Sequence, residues 1–348
     1  MTDRVKMELK YFCEALPKIE LHAHLNGSVS PQTLKKLQKL KSNGDNSASM
    51  PDMEKFTTLK ECFQMFNLVH SLTDTPEAVF LATHDVIQEF HDDNVIYLEL
   101  RSTPRSIKDQ MTKEEYIEAI IKAIEACKCK TPGILVKLLI SVNRKEGFTN
   151  AEENIKLAVK YHRQYPMIIV GIDLSGDPTE GEAYINLLQN CRDEGLKIAA
   201  HCAEVPNEEE VVDILNFKPD RLGHCTNIHP NLKGTQKIYR MLLDSRIPVE
   251  LCLTSNLKCK TVASITEHQF PYFYKEKHPV CISTDDKGVF STSLSAEFQL
   301  AGKNFGLDNN ELKNLSLSAV EYSFATNEEK CKLTEKIKLF SPCSNTCD

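Results

Sequence analysis

The sequence lacks what a nucleic-acid-binding or membrane-spanning protein would need. Its net charge is −7 at pH 7, so it has no excess of lysine and arginine to build a basic stripe along a phosphate backbone. No run approaches the ~18 consecutive apolar residues of a membrane span. Residues 1–17 carry Asp3, Arg4, Lys6, Glu8 and Lys10 where a secretory leader would have an apolar core. Cys-x-x-Cys is absent, which argues against a structural zinc ribbon and removes the zinc deaminases of flipped bases, whose signature ends in Pro-Cys-x-x-Cys. The thirteen cysteines are an odd number without regular spacing, mostly inside apolar runs such as Val249-Glu-Leu-Cys252-Leu. They read as small buried hydrophobes in a reducing compartment. The expectation is a cytosolic protein acting on a small molecule, with no nucleic acid, no membrane and no obligate protein partner implied.

What the chain does contain is a repeated unit. Short apolar strands, each followed by an amphipathic helix, are expected at Ile19–Leu21 with the flanking histidines, Val95–Leu100, Ile134–Val142, Ile168–Leu174, Lys197–Ala200, Arg221–His224, Val249–Leu253 and Val280–Ser283. Ser30-Pro31, Thr112 with Glu115, and Asn150 with Glu153 read as helix starts. Further helices are expected over 56–72, 75–91, 180–193, 232–244 and 293–305. Eight such units in 348 residues point to a single-domain (β/α)8 barrel, a TIM barrel; an open doubly wound sheet has the same local pattern. A polar loop over 41–52 and a short tail over 341–348 complete the chain. Polar residues gather at the carboxyl ends of six strands, where a barrel brings strand ends around one mouth.

Those ends supply His22 and His24, then His201, then Asp285. Two histidines spaced i, i+2 lie on one strand face, and three imidazoles with a carboxylate suit zinc or another borderline divalent ion, one per subunit. Glu204 lies three residues past His201, near enough to move a proton. His224 and Asp286 are candidates to orient and deprotonate a water, although a strand-end histidine also fits plain hydrogen-bonded structure and Asp286-Lys-Gly288 also fits a turn.

In order along the chain, His22-Ala-His24-Leu-Asn-Gly27, Asp173-Leu-Ser-Gly176-Asp177, His201-Cys-Ala-Glu204, Arg221-Leu-Gly-His224 and Ser283-Thr-Asp285-Asp286 resemble the motifs of the adenosine and AMP deaminase family. The likeness runs from about Leu16 to Phe305. It implies a zinc-containing barrel that converts a 6-aminopurine to its 6-oxo form, with His22, His24, His201 and Asp285 on the metal. By the same resemblance Glu204 protonates purine N1, His224 and Asp285 orient the attacking water, Gly176 offers its N–H to N3, and Asp286 holds the N7 edge.

Departures from the family pattern bear on the substrate. The usual aspartate of His-x-His-Leu-Asp-Gly is the neutral Asn26 here, which would not repel a phosphate. Arg101, Ser102, Thr103, Pro104 and Arg105 at the end of strand two, with Arg144 at the end of strand three, add hydroxyl and guanidinium donors. This pattern is similar to the branch that acts on N6-methyl-AMP and releases methylamine with IMP. It would place His24, Asn26, His70, Thr103, Arg105 and Arg144 around the substrate. The alternatives are an adenosine deaminase acting on the free nucleoside and, in another class, a non-catalytic metal-dependent nucleotide-binding protein.

Overall fold

Eight parallel strands, each hydrogen-bonded to the next in sequence, curve into a barrel in the computed structural model, which describes residues 3–42 and 59–341. In chain order the elements are α1 (Asp3–Ala15), β1 (Lys18–His24), α2 (Pro31–Lys41), α3 (Leu59–Leu72), α4 (Pro76–Asp92), β2 (Val95–Ser102), α5 (Lys113–Lys130), β3 (Leu135–Asn143), α6 (Gly147–Gln164) and β4 (Ile169–Ser175). There follow α7 (Ile185–Asp193), β5 (Lys197–Cys202), α8 (Glu208–Phe217), β6 (Arg221–His224), α9 (Gln236–Ser245), β7 (Val249–Leu251), α10 (Leu253–Lys258), α11 (Phe270–Lys275), β8 (Val280–Ile282), α12 (Leu294–Phe305), α13 (Asn309–Tyr322) and α14 (Asn327–Leu339). The strand order β1 to β8 rules out the open doubly wound sheet, whose strand order reverses.

The ring closes just beyond β8, where Ala23 and Asp285 form a parallel bridge. Asp285 N–H donates to His22 O at 2.8 Å, and His24 N–H donates to Asp285 O at 3.0 Å. The backbone that closes the barrel is thus carried by residues whose side chains the sequence points to as ligands. Closure and site stand or fall together.

Local chemistry explains most of the helix starts. Ser30 caps α2 ahead of Pro31, Thr75 caps α4 ahead of Pro76, and Thr112 with Glu115 forms a reciprocal capping box on α5. Four expected boundaries move. Helix α6 begins at Gly147, so Asn150 is not its cap; its amide instead donates to Glu146 O and its oxygen accepts from Lys113. The helix expected from residue 180 starts at Ile185, because Asp177 folds back on the N–H of Thr179 and Tyr184 takes a left-handed turn with φ 47°. Helix α9 starts at Gln236 behind the cap Thr235, with Leu232 in a 3-10 turn. Strand β7 ends at Leu251, and Leu253 already opens α10.

Residues 43–58 and 342–348 lie outside the described residues, and with them most of the expected polar loop, the first turn of the helix expected from residue 56, and nearly all of the tail. At the end of the chain α13 and α14 pack Ala319, Val320, Leu333 and Ile337 against Ile19, Leu21, Ile96 and Tyr97. No described helix is long and apolar enough to cross a membrane.

The barrel contains buried charge where the strand sequences read as nearly apolar. Arg101, Asp173, Arg221, Glu250 and Glu99 are all fully buried. Arg101 donates to Asp173 Oδ1 (2.8 Å) and Glu250 Oε2 (3.0 Å), and Arg221 Nε donates to Glu250 Oε1 at 2.6 Å while its Nη2 reaches Glu99. Charges removed from water are tolerable only when paired and hydrogen-bonded, and each member here has an opposite charge. Arg101 is therefore not a donor at the mouth as the sequence suggested: it is a structural ion one layer below it. At the mouth, Lys287 Nζ donates to Glu89 on α4 at 2.6 Å and lies over the Phe90 ring.

Candidate active site

The mouth collects side chains from β1, β5, β6 and the turn after β8. His22 Nε2 and His24 Nε2 each lie 3.3 Å from Asp285 Oδ1, and His24 Nε2 lies 3.2 Å from His201 Nε2. Among the described residues His22, His201, His224 and Asp285 present ligand atoms within 4.8 Å of one another. His22 and Asp285 are also both close to His24, so five side chains compete for one centre.

Second partners decide which imidazoles have a lone pair to give. His22 Nδ1 lies 2.6 Å from Glu250 Oε2, a carboxylate that only accepts, so Nδ1 carries a proton and Nε2 is the nitrogen turned to the centre; against its burial, the Glu250 and Asp285 carboxylates raise the ring's pKa to about 9, so an ion there would take the place of a proton on Nε2. That buried Nε2 has no hydrogen-bond partner among the described residues. His201 Nδ1 donates to Leu174 O at 2.8 Å, which leaves Nε2 bare. Burial holds His24 neutral, lowering its pKa to about 3. Ser255 Oγ donates to Asp285 Oδ2 at 2.7 Å and leaves Oδ1 toward the histidines. His224 differs: its Nδ1 faces the Asn256 amide nitrogen at 3.1 Å, a donor, so its proton sits on Nε2 and it cannot ligate. The donor set that fits a divalent ion is thus His22, His24, His201 and Asp285, three nitrogens and an oxygen.

His224 and Asp285 take left-handed backbone angles, φ 61° and 62°, a conformation uncommon for non-glycine residues. It turns the His224 ring so that Nε2 stands 3.8 Å from both Asp285 Oδ2 and Glu204 Oε2. That is too long for a direct bond, so the Nε2 proton is free for a third group. Glu204 is partly exposed.

Asp286 is buried with Oδ1 unpartnered among the described residues, and burial together with the Asp285 charge pushes its carboxyl well above the usual range. It packs on Gly27, where an added Cβ would fall 1.6 Å from Oδ1. Gly27→Ala is therefore expected to displace Asp286 and lower kcat/KM on the order of 10²-fold, read by steady-state kinetics. Gly176, with φ +98°, has Asn143 Oδ1 only 2.1 Å from where a Cβ would be, so its N–H is presented by a turn that no side chain could share.

The remaining expected substrate residues divide. Asn26 Nδ2 donates to Tyr116 Oη at 3.2 Å, and that hydroxyl lies 2.7 Å from Ser102 Oγ. Tyr116, absent from the sequence reading, is the hub that positions both; nothing in its helical setting signals this. His70 is half-buried, and burial with the Arg105 charge lowers it to about 4. Pro104 is buried and Thr103 half-buried beside it. Among the described residues Arg105 forms no ion pair: it donates to Thr73 O (2.7 Å), Thr73 Oγ1 (2.8 Å) and His70 O (3.3 Å), tying the end of β2 to the end of α3. Arg144 is not free at the mouth either. It is buried, and its Nη1 donates to both oxygens of Glu210 at 2.8 and 2.9 Å.

Residues 17–339 match the family model described as adenosine deaminase. A human protein named N6-methyl-AMP deaminase is 43% identical over 337 residues, covering 95% of each chain. The apo structure of the Arabidopsis thaliana N6-methyl-AMP deaminase superposes with a TM-score of 0.86 at 39% identity, covering 96% of this chain and 99% of that one. An Arabidopsis relative complexed with IMP has a TM-score of 0.84 at 38% identity, covering 94% of this chain and 97% of its own.

Proposed function

The chain belongs to the adenosine deaminase family, and from that premise we propose that it hydrolyses N6-methyl-AMP to IMP and methylamine with one zinc ion at the barrel mouth. Membership makes it a metal-dependent purine aminohydrolase. The observation that carries the nucleotide reading is the agreement of two independent facts: the neutral Asn26 on the β1 turn, and relatives named for N6-methyl-AMP across nearly the whole chain.

A divalent ion held by His22, His24, His201 and Asp285 would lower the pKa of a water toward ~7, making it a nucleophile at neutral pH. The chain's own residues do the rest. His224 donates from Nε2 to the attacking oxygen and fixes its approach to C6. Glu204 gives a proton to purine N1, which draws electrons from C6 and opens it to attack. Asp286 in its acid form donates to N7, an acceptor, and Gly176 N–H donates to N3. The two protons of the attacking water balance the step: one restores the proton that Glu204 gave to N1, and the other leaves with methylamine as the C6–N6 bond breaks and C6 becomes a carbonyl. Asn26, His70, Thr103 and Arg105 would surround the ribose phosphate; Arg144 joins them only by leaving Glu210.

The deciding experiment is side-by-side turnover of zinc-loaded protein with adenosine, AMP and N6-methyl-AMP. A large advantage for N6-methyl-AMP is expected. Activity confined to adenosine would overturn the nucleotide reading, and no turnover of any of the three would favour a binding protein. Asn26→Asp is expected to cut the preference for nucleotide over nucleoside roughly tenfold, since a carboxylate near the phosphate costs about 1.4 kcal/mol under partial screening. An unchanged ratio would remove Asn26 from the phosphate side of the site.

A further inference from the structure

His224 has a neighbourhood that the reaction itself does not explain. Behind it lie three buried polar side chains, Asn256, His268 and Gln269, and the direction of every hydrogen bond that joins them to His224 can be worked out from groups that have only one possible role. Phe270 N–H can only donate, and it reaches His268 Nδ1 at 3.0 Å. His268 Nδ1 therefore has no proton, and its Nε2 does. That Nε2 lies 3.1 Å from an Asn256 amide atom, which must then be the oxygen, as placed. The second constraint is separate. His224 O can only accept, so the Gln269 amide group 2.9 Å from it is the NH2, and the same nitrogen donates to Asn256 Oδ1 at 3.0 Å.

Two donors on one oxygen leave no freedom to flip the Asn256 amide. Its nitrogen must face His224 Nδ1, at 3.1 Å, and must donate to it. Asn256, His268 and Gln269 are buried, so solvent offers no substitute partner. Burial also holds His268 neutral, its pKa lowered to about 3, which keeps it from presenting a second ring proton to Phe270 N–H.

We propose that His268 and Asn256 are positioning residues that fix the tautomer of His224, keeping its proton on Nε2 where the reacting oxygen meets it. The consequence for function rests on the reading of His224 given above; the tautomer itself does not. With the proton on Nε2, His224 begins the reaction as a hydrogen-bond donor and cannot accept the water's proton there. It also stays out of the metal's coordination, which leaves that place to His24. A backbone N–H at the start of α11, about as fixed a group as a protein has, thereby sets the state of a side chain on β6.

The test is long-range 1H–15N correlation on zinc-loaded, 15N-histidine-labelled full chain, the His224 signals being those lost in His224→Gln. The expected spectrum shows His224 Nδ1 bare and Nε2 protonated. Asn256→Asp replaces the donor with an acceptor and is expected to put a proton on Nδ1 and lower kcat by at least about tenfold, with KM and zinc content little changed. His268→Gln keeps an N–H for Asn256 Oδ1 and is expected to retain both the tautomer and kcat within about threefold. A wild-type His224 protonated on Nδ1 overturns the proposal, as does a bare Nδ1 in Asn256→Asp. If Asn256→Asp fails to fold, the wild-type spectrum decides alone. Because that spectrum needs no substrate, its outcome is independent of whether N6-methyl-AMP is turned over.

Discussion

Glu204→Gln is expected to lower kcat by about 10²–10⁴-fold, the usual worth of a positioned general acid, while the protein still binds one zinc per chain. Glutamine has the same shape and keeps a hydrogen-bonding end, but it has no proton to give to purine N1. Glu204 is also a carboxylate at the mouth that the histidine cluster does not use. Its nearest imidazole is His224 Nε2, 3.8 Å away, and the four side chains that fit the ion are complete without it. Zinc content and kcat should therefore separate. A variant that loses both would make Glu204 a ligand, and one that keeps kcat within tenfold would move the acid to another group, Asp286 being the next in reach.

The same separation between a side chain's position and its partner explains what could be read from the sequence. The strands were legible because an apolar run bounded by turn residues has few other uses, and His22, His24, His201 and Asp285 were legible as candidates because they stand at or just past the carboxyl ends of strands that a barrel brings to one mouth. Partners were not legible. Arg101 sits one residue before Ser102 and reads equally well as a mouth donor or an interior ion; its acids, Asp173 and Glu250, are 72 and 149 residues away. Arg105 and Arg144 lie past the ends of β2 and β3, yet the carbonyls of His70 and Thr73 and the α8 carboxylate of Glu210 engage their guanidiniums, with Nε of each left without a hydrogen-bond partner among the described residues. The strand expected over Val249–Leu253 would leave Asn256 just past its end. A three-residue β7 puts it on α10 instead, and that helical turn is what aims Ser255 at Asp285 and Asn256 at His224. Spacing shows which face a residue occupies. It does not show what waits on the other side.

Glu250→Gln should show how far the site depends on the ions beneath it. Both Glu250 oxygens are occupied by cationic or proton-bearing groups: Oε2 accepts from His22 Nδ1 (2.6 Å) and Arg101 (3.0 Å), and Oε1 accepts from Arg221 Nε (2.6 Å). Nearby charge holds this carboxyl well below its usual range despite full burial, the two arginines outweighing the desolvation. An amide there leaves each buried guanidinium with a single carboxylate, Asp173 for Arg101 and Glu99 for Arg221, and turns an NH2 toward a group that donates. Removing one partner from a buried ionic set typically costs about 3–5 kcal/mol, so the melting temperature should fall by several degrees or more. Metal binding should weaken with it, by roughly 10–100-fold, because His22 loses the bond that keeps a proton on Nδ1 and its Nε2 turned to the centre. Lys287→Ala, which breaks the partly exposed pair with Glu89 beside the same mouth, is the control: it should cost about 1 kcal/mol or less and leave zinc affinity unchanged. A Glu250→Gln protein that keeps wild-type zinc affinity would mean that packing alone sets the His22 tautomer, and that the barrel's ions support the fold without tuning the site. Weaker zinc at an unchanged melting temperature would mean the reverse. Loss of both is the expected outcome, since one carboxylate joins the barrel's charges to its first ligand.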